Sequence, residues 1–133
     1  MKTQKIRRIF VVDDDPVWSN LMNQMLQDLG YTNILSFSSG EECLKYLHLN
    51  PTVIFLDYEM EKLNGIQVLQ HVKEYLPGTA VVICSAIEDI NVAVLAMKSG
   101  SFDYLPKSRC GLDELANVIR ELGTNAVLDE KIY

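Results

Sequence analysis

The sequence lacks any long hydrophobic run. No apolar stretch approaches the roughly 20 residues of a membrane-spanning helix, so we predict no membrane insertion. A secretion signal is also missing, because the basic start "MKTQKIRR" is followed by only "IFVV" before three aspartates interrupt the apolar residues. These absences favour a cytoplasmic protein.

Positive charge and cysteine are both scarce. The chain carries 12 Lys and Arg against 18 Asp and Glu, a formal net charge of −6. Nucleic-acid binding depends on clustered Lys and Arg, so this balance argues against nucleic acid as a partner. Cys43, Cys84 and Cys110 are far apart and have no zinc or redox spacing, so we expect reduced thiols, as is usual in the cytoplasm.

What the chain does contain is an alternation of two segment types. Short β-branched runs, typical of strands, occur at residues 8–12, 34–37, 53–56, 80–84 and 102–105. Between them, apolar residues recur three and four positions apart, which is typical of helices. Five strands alternating with five helices predict one doubly wound α/β domain with a parallel sheet. The fifth helix is expected to end at Gly123, which leaves 124–133 as a loose tail or a contact for a partner.

Polar side chains follow the predicted strands at their carboxyl ends, where α/β sheets bind ligands. They are Asp13, Asp14 and Asp15 after the first strand, Asp57 and Glu59 after the third, Ser85 after the fourth and Lys107 after the fifth. Converging carboxylates demand a cation, and oxygen ligands suit Mg²⁺. Carboxylate, Mg²⁺, hydroxyl and ammonium can together hold a phosphoryl group, which a carboxylate can also accept as an aspartyl phosphate. The glycine-rich loop of nucleotide-binding proteins is absent after the first strand, which argues against a dinucleotide-binding or P-loop protein.

At these positions the sequence resembles the receiver domain of two-component response regulators, over roughly residues 6–123. The resemblance is carried by the segments "VVDDDP", "DYEMEKLNG" and "DYLPKS" and by their spacing. The matching positions are Asp13 and Asp14 for the acidic pair, Asp57 for the phospho-accepting residue, Ser85 and Tyr104 for the two switch residues and Lys107 for the lysine. The resemblance implies a single receiver domain with a flavodoxin-like sheet of strand order 2-1-3-4-5.

The resemblance also implies the function. A single-domain response regulator would accept a phosphoryl group onto Asp57 from a sensor histidine kinase or a His-containing phosphotransfer protein. Phosphorylation would then alter the surface formed by the fourth helix, the fifth strand and the fifth helix, which would bind a downstream protein target. Such a protein is not an enzyme toward a separate substrate, since its chemistry is limited to gaining and losing its own phosphoryl group.

Each site residue has an implied role. Asp14, Asp57 and the backbone carbonyl of Glu59 would hold Mg²⁺, with Asp13 supporting the ion through water. The oxygens of the phosphoryl group would be received by two further side chains, Ser85 and Lys107. Tyr104 would be the aromatic switch residue. When the Ser85 hydroxyl is drawn inward to the phosphoryl group, the Tyr104 ring would move into the space that is vacated.

The sequence departs from the family pattern at several positions. Glu61 stands where the family usually has a proline, which removes no ligand. Ser108 replaces the proline that usually follows the lysine, and because cis peptides are essentially confined to proline, we expect no cis bond between Lys107 and Ser108. Glu59 and Ile87 occupy the two positions that tune loss of the phosphoryl group. We expect Ile87 to hinder the attacking water and lengthen the phosphorylated lifetime.

Two other functions fit parts of the sequence. Asp13-x-Asp15 after the first strand is similar to the D-x-D motif of haloacid dehalogenase-type Mg²⁺ phosphohydrolases, although the chain is short and has no cap domain. The altered loop after Lys107 is compatible with a receiver-like binding module that does not use phosphate. Phosphorylation of Asp57 would indicate a response regulator, and phosphorylation of Asp13 would indicate the hydrolase. A protein that is not phosphorylated at all would be the binding module.

Overall fold

The fold is a five-stranded parallel sheet covered by helices on both faces. The computed structural model describes residues 6–132, and the side chains of residues 6–123. The strands are β1 (Ile9–Val12), β2 (Ile34–Phe37), β3 (Val53–Asp57), β4 (Ala80–Ser85) and β5 (Asp103–Pro106). Their order in the sheet is β2-β1-β3-β4-β5, and each neighbouring pair is parallel. The predicted doubly wound, flavodoxin-like fold with order 2-1-3-4-5 is therefore confirmed.

Helices connect the strands and begin at polar caps. They are α1 (Pro16–Asp28), α2 (Gly40–Lys45), α3 (Gly65–Tyr75), α4 (Ile90–Lys98) and α5 (Leu112–Ile132). The Asp15 side chain accepts a hydrogen bond from the Val17 N–H at 3.0 Å, and Pro16 occupies the first turn of α1. Ser39 caps α2 in the same way through the Glu42 N–H. Both caps satisfy backbone donors that a helix start leaves free.

The core lies on both faces of the sheet. Along β1, Ile9 and Val11 belong to one buried cluster and Phe10 and Val12 to another, because successive side chains of a strand point to opposite faces. The helices α1 and α5 complete the first cluster, and α3 supplies much of the second. This two-sided burial explains why β1 and β3 are apolar without alternation. All three cysteines are free, which agrees with the predicted reduced thiols, and all three are buried.

The fifth helix is longer than the sequence predicts. We expected it to end at Gly123, but α5 continues to Ile132, so that expectation is wrong. A glycine inside a helix costs only about 1 kcal/mol relative to alanine, and no proline follows to stop the helix. The side chains of residues 124–133 lie outside the described ones, so a contact of this segment with a partner stays a prediction. Within the part of the chain that the structure describes, no helix is long and apolar enough to cross a membrane.

Candidate functional site

Three carboxylates meet at the carboxyl edge of the sheet. β1 and β3 pair in parallel with Val12 opposite Leu56, so Asp13 and Asp57 emerge side by side where these strands end. Carboxylate oxygens of Asp13, Asp14 and Asp57 all lie within 4.8 Å of one another. Asp13 and Asp57 are each only 4% exposed, whereas Asp14 is exposed to solvent. The predicted convergence of these three residues is therefore present in the structure.

Among the side chains that the structure describes, one lysine faces the buried carboxylate pair. The Lys107 ammonium lies 2.7 Å from Asp13 Oδ2 and 3.4 Å from Asp57 Oδ1. Its side chain is only 15% exposed, and the face of the Trp18 ring lies on another side, with its centroid 5.3 Å from Nζ. Lys107 directly follows β5, and β5 is separated from β3 only by β4, which explains how it reaches the carboxylates.

The charges in this cluster are unbalanced. The pKa of Asp57 is raised to about 7, first by burial and then by the neighbouring Asp13 carboxylate, although the charge and hydrogen bond of Lys107 act to lower it. Burial acts to lower the pKa of Lys107, but its hydrogen bond to Asp13 and the charge of Asp57 outweigh that effect, so the pKa is raised above its ordinary value. Two buried carboxylates thus share one ammonium, which favours either a proton or another cation at the site.

The donor set fits a hard divalent cation. Among the described residues, no donor other than Lys107 meets the buried Asp13 Oδ2. Three carboxylates with oxygens this close offer the hard, oxygen-only ligands that Mg²⁺ prefers, with room for water because Asp14 is exposed. The Glu59 side chain is exposed in the loop after β3 and lies outside the carboxylate cluster. The role of its backbone carbonyl as a ligand stays a prediction.

The two predicted switch residues are linked through one loop residue. Ser85, fully buried at the end of β4, accepts a hydrogen bond at Oγ from the Ile87 N–H at 3.0 Å. The Tyr104 hydroxyl donates to the Ile87 carbonyl at 2.6 Å, and its ring packs against the second core cluster. Both polar groups of the Ile87 backbone are therefore bound by the switch residues, while its side chain is 40% exposed. Sequence reasoning assigned Ile87 a role but did not anticipate this connection.

A second link between loops was also missed. The Ser108 hydroxyl donates to Glu88 Oε1 at 2.8 Å, and Arg109 Nε lies 3.4 Å from the same oxygen. The loop after β4 is thereby joined to the turn that carries Lys107. The described residues contain no cis peptide bond, so the expected trans bond between Lys107 and Ser108 is confirmed.

Gly65 holds the loop after β3 close to the acceptor carboxylate. A Cβ at this position would lie 2.5 Å from the Asp57 carbonyl oxygen and 2.9 Å from the Tyr58 Cα, both backbone atoms that cannot move aside cheaply. The Gly65 N–H also donates to the Tyr58 carbonyl at 2.8 Å. The glycine in "DYEMEKLNG" is therefore required by the close approach of two backbone segments.

Asp15 has a different role from its two neighbours. Its side chain caps α1 and is exposed, and it is not part of the carboxylate cluster. Its backbone N–H donates to Asp13 Oδ1 at 2.8 Å, which orients the Asp13 carboxylate. The side chains of Asp13 and Asp15 therefore have different tasks, one in the carboxylate cluster and one at the start of α1, which does not favour a paired D-x-D site.

The acidic cluster and its lysine lie at the carboxyl edge of a parallel, flavodoxin-like sheet, where doubly wound α/β proteins bind their ligands. Residues 9–120 match the family described as the response regulator receiver domain. The chain belongs to this family. Receiver domains are signalling modules of two-component systems that work by phosphorylation, bind Mg²⁺ at acidic residues and interact with histidine kinases and downstream effectors.

Relatives show which parts of longer proteins this chain is similar to. A protein-glutamate methylesterase/protein-glutamine glutaminase of Geobacter sulfurreducens is 32% identical over 116 residues, which cover 86% of this chain and 31% of that protein. The chemotaxis protein CheY of Thermotoga maritima is 26% identical over 102 residues, covering 76% of this chain and 85% of CheY. A receiver domain protein of Clostridium thermocellum is 31% identical, with a TM-score of 0.80 over 94% of this chain and 97% of that one.

The first curated relatives are much longer than this chain. It spans 31% of the methylesterase and 21% of the transcriptional regulator NtrC of Escherichia coli, to which it is 35% identical over 100 residues. The shared part is the receiver, whereas any enzymatic activity in such relatives belongs to their other domains.

Proposed function

We propose that residues 1–133 form a single-domain cytoplasmic response regulator, with a core at about 6–123 that α5 extends beyond, and that its Asp57 accepts a phosphoryl group. The donor is the phosphohistidine of a sensor histidine kinase or of a His-containing phosphotransfer protein. The observation that carries this proposal is the buried Asp57 carboxylate at the edge of the sheet, 3.4 Å from Lys107 and beside Asp13 and Asp14.

Asp57 supplies the nucleophile in this transfer. A bond forms between its carboxylate oxygen and phosphorus as the P–N bond of the phosphohistidine breaks, and the imidazole nitrogen keeps the electron pair. Lys107 and Ser85 then receive oxygens of the transferred group, as an ammonium and a hydroxyl donor. When bound, Mg²⁺ neutralises the oxygens of the transferred group. We assign its ligands to Asp13 (through water), Asp14, Asp57 and the Glu59 carbonyl.

The same residues suggest how phosphorylation is read out. Ser85 is tied to the Ile87 N–H and Tyr104 to the Ile87 carbonyl, so movement of the Ser85 hydroxyl toward a phosphoryl oxygen displaces a group that Tyr104 holds. Tyr104 lies on β5, next to α4, whose exposed face carries Ile90, Val94 and Met97. We propose that phosphorylation shifts the population of the α4–β5–α5 surface toward a form that binds a downstream protein.

Labelling by a small phosphodonor tests this function. We expect acetyl phosphate with Mg²⁺ to add one phosphoryl group to the intact protein, detected by mass spectrometry, and EDTA to prevent the addition because the carboxylates then lack their cation. If no label forms and beryllofluoride with Mg²⁺ does not bind either, the chain is a phosphate-independent binding module.

Position 87 tests the lifetime of the phosphorylated form. The exposed Ile87 side chain presents no polar group to an attacking water. We expect Ile87→Glu to shorten the half-life of the phosphorylated protein severalfold, because a carboxylate can orient that water and accept its proton. The half-life is measured by the decay of the labelled species after the donor is removed. Ile87→Leu, which keeps the position apolar, is the matched control. An Ile87→Glu protein that loses its phosphoryl group no faster than wild type would contradict the assigned role.

A further inference from the structure

Three side chains among the described residues contact the Lys107 ammonium, and two of them have another role. Its ammonium contacts the carboxylates of Asp13 and Asp57, at 2.7 and 3.4 Å. Both carboxylates belong to the cluster that fits a divalent cation, and Asp57 is also the proposed phosphoryl acceptor. Oxygens that bind a cation or phosphorus attract an ammonium less strongly, because their negative charge is already compensated. The two carboxylates therefore hold Lys107 less firmly when the site is in use.

The third neighbour keeps its attraction for the ammonium under those conditions. The Trp18 ring centroid lies 5.3 Å from Lys107 Nζ, within the range of a cation–π interaction. An indole ring is neutral, so it contacts the ammonium without competing for the divalent cation or for the phosphoryl group. The contact with Trp18 can therefore persist while Lys107 receives an incoming phosphoryl oxygen.

The position of Trp18 makes its ring a fixed support. Trp18 lies in the first turn of α1, directly after the loop of Asp13 and Asp14, and its half-buried ring packs against the first core cluster. A ring held by the core cannot follow the lysine if the lysine moves. Its face therefore defines one side of the space that the ammonium occupies.

We propose that Trp18 is a positioning residue that keeps Lys107 directed toward the phosphoryl group during transfer to Asp57. The inference rests on the proposed function, and it goes further by assigning a role to a side chain that is neither a metal ligand nor a phosphoryl ligand. Without the ring, the flexible lysine side chain can turn toward solvent once the carboxylates are engaged.

The first test compares rates of labelling by acetyl phosphate at saturating Mg²⁺. We expect Trp18→Leu to lower the rate about two- to fivefold, the range of a cation–π contact at a partly exposed site. Trp18→Phe, which keeps an aromatic face, is expected to retain at least half of the rate. Leu21→Ala, a truncation of an exposed side chain one turn further along α1, is the control and is expected to label like wild type. A Trp18→Leu protein as fast as wild type, or a Leu21→Ala protein equally slow, overturns the inference.

The second test observes the contact itself and does not depend on a Trp18 variant folding. Trp18 is the only tryptophan in the chain, so its indole N–H gives a single cross-peak in a ¹H–¹⁵N spectrum. We expect this peak to shift in Lys107→Gln, whereas an unchanged peak overturns the inference. If the wild-type protein is labelled and Trp18→Leu is labelled at the same rate, the positioning role is wrong but the proposed function stands. If the wild-type protein is not labelled at all, the proposed function and the positioning role are both wrong.

Discussion

Replacing Asp57 with asparagine is expected to abolish labelling by acetyl phosphate. The amide that replaces the carboxylate cannot act as the attacking nucleophile, although its size and shape are nearly unchanged. Asp57 is buried beside Asp13 and lies 3.4 Å from Lys107, so a phosphoryl group on its carboxylate would be within reach of the Lys107 ammonium. We expect the mass of the variant to stay unchanged under conditions that fully label the wild-type protein.

Asp15→Asn is the matched control for this loss. Asp15 is exposed and caps α1, and asparagine is an equally good cap, so the helix start and the fold are preserved. We expect this variant to be labelled like wild type. The opposite pattern, in which Asp57→Asn is labelled normally and Asp13→Asn is not, would favour the haloacid dehalogenase-type function and contradict our assignment.

The same Asp57→Asn substitution is expected to stabilise the metal-free protein at neutral and higher pH. In the wild type, two buried carboxylates share the single Lys107 ammonium, and the pKa of Asp57 is raised to about 7, mainly by burial. In the variant, Asp13 keeps Lys107 to itself at 2.7 Å, so one buried charge is paired with one ammonium. Loss of the ionised Asp57 therefore removes an unfavourable interaction from the folded state.

The sign of the pH dependence follows from the direction of the shift. A carboxyl group whose folded pKa lies above its unfolded pKa binds protons more tightly when folded, so it destabilises the folded state as pH rises between the two values. For Asp57 that window runs from the ordinary value of 3.8 to about 7. The free-energy advantage of the variant is thus expected to be small near pH 4 and to grow to as much as about 4 kcal/mol above pH 7.

Urea unfolding with EDTA, at a series of pH values from 4 to 8, measures this difference. Adding Mg²⁺ is expected to stabilise the wild type more than the variant, because an ion that binds only the folded state stabilises it by mass action. Asp15→Asn again serves as the control, since it removes an exposed charge outside the cluster. A variant that is less stable than wild type at pH 8, or an advantage that does not shrink toward pH 4, would contradict the electrostatic description of the site.

Much of this site could be predicted because its residues end strands. Asp13, Asp57, Ser85 and Lys107 follow apolar runs, and the carboxyl ends of parallel strands meet at one edge of a sheet, so their convergence depends only on the fold. The Asp15 cap depends on the local sequence alone, because an aspartate directly before a proline is typical of a helix start.

What could not be predicted depends on contacts between distant loops. The attachment of Ile87 to Ser85 and Tyr104 and the contact of Glu88 with Ser108 join segments with no periodic pattern. Their geometry is set by loop conformations that hydrophobic spacing does not encode.

The end of α5 was misjudged for a different reason. Glycine is frequent at helix ends, but a single glycine such as Gly123 lowers helix stability too little to decide where a helix stops. The residues that follow it contain no proline, and the helix continues to Ile132.

Locating the phosphoryl group on the wild-type chain tests the central assignment most directly. An acyl phosphate on aspartate is reduced by borohydride to homoserine, which peptide mass spectrometry places at a single position. After labelling with acetyl phosphate and Mg²⁺, we expect homoserine at position 57 and at no other position, and none when EDTA is present. Homoserine at position 13, or label formed equally well without a divalent cation, would contradict a magnesium-dependent acceptor at Asp57.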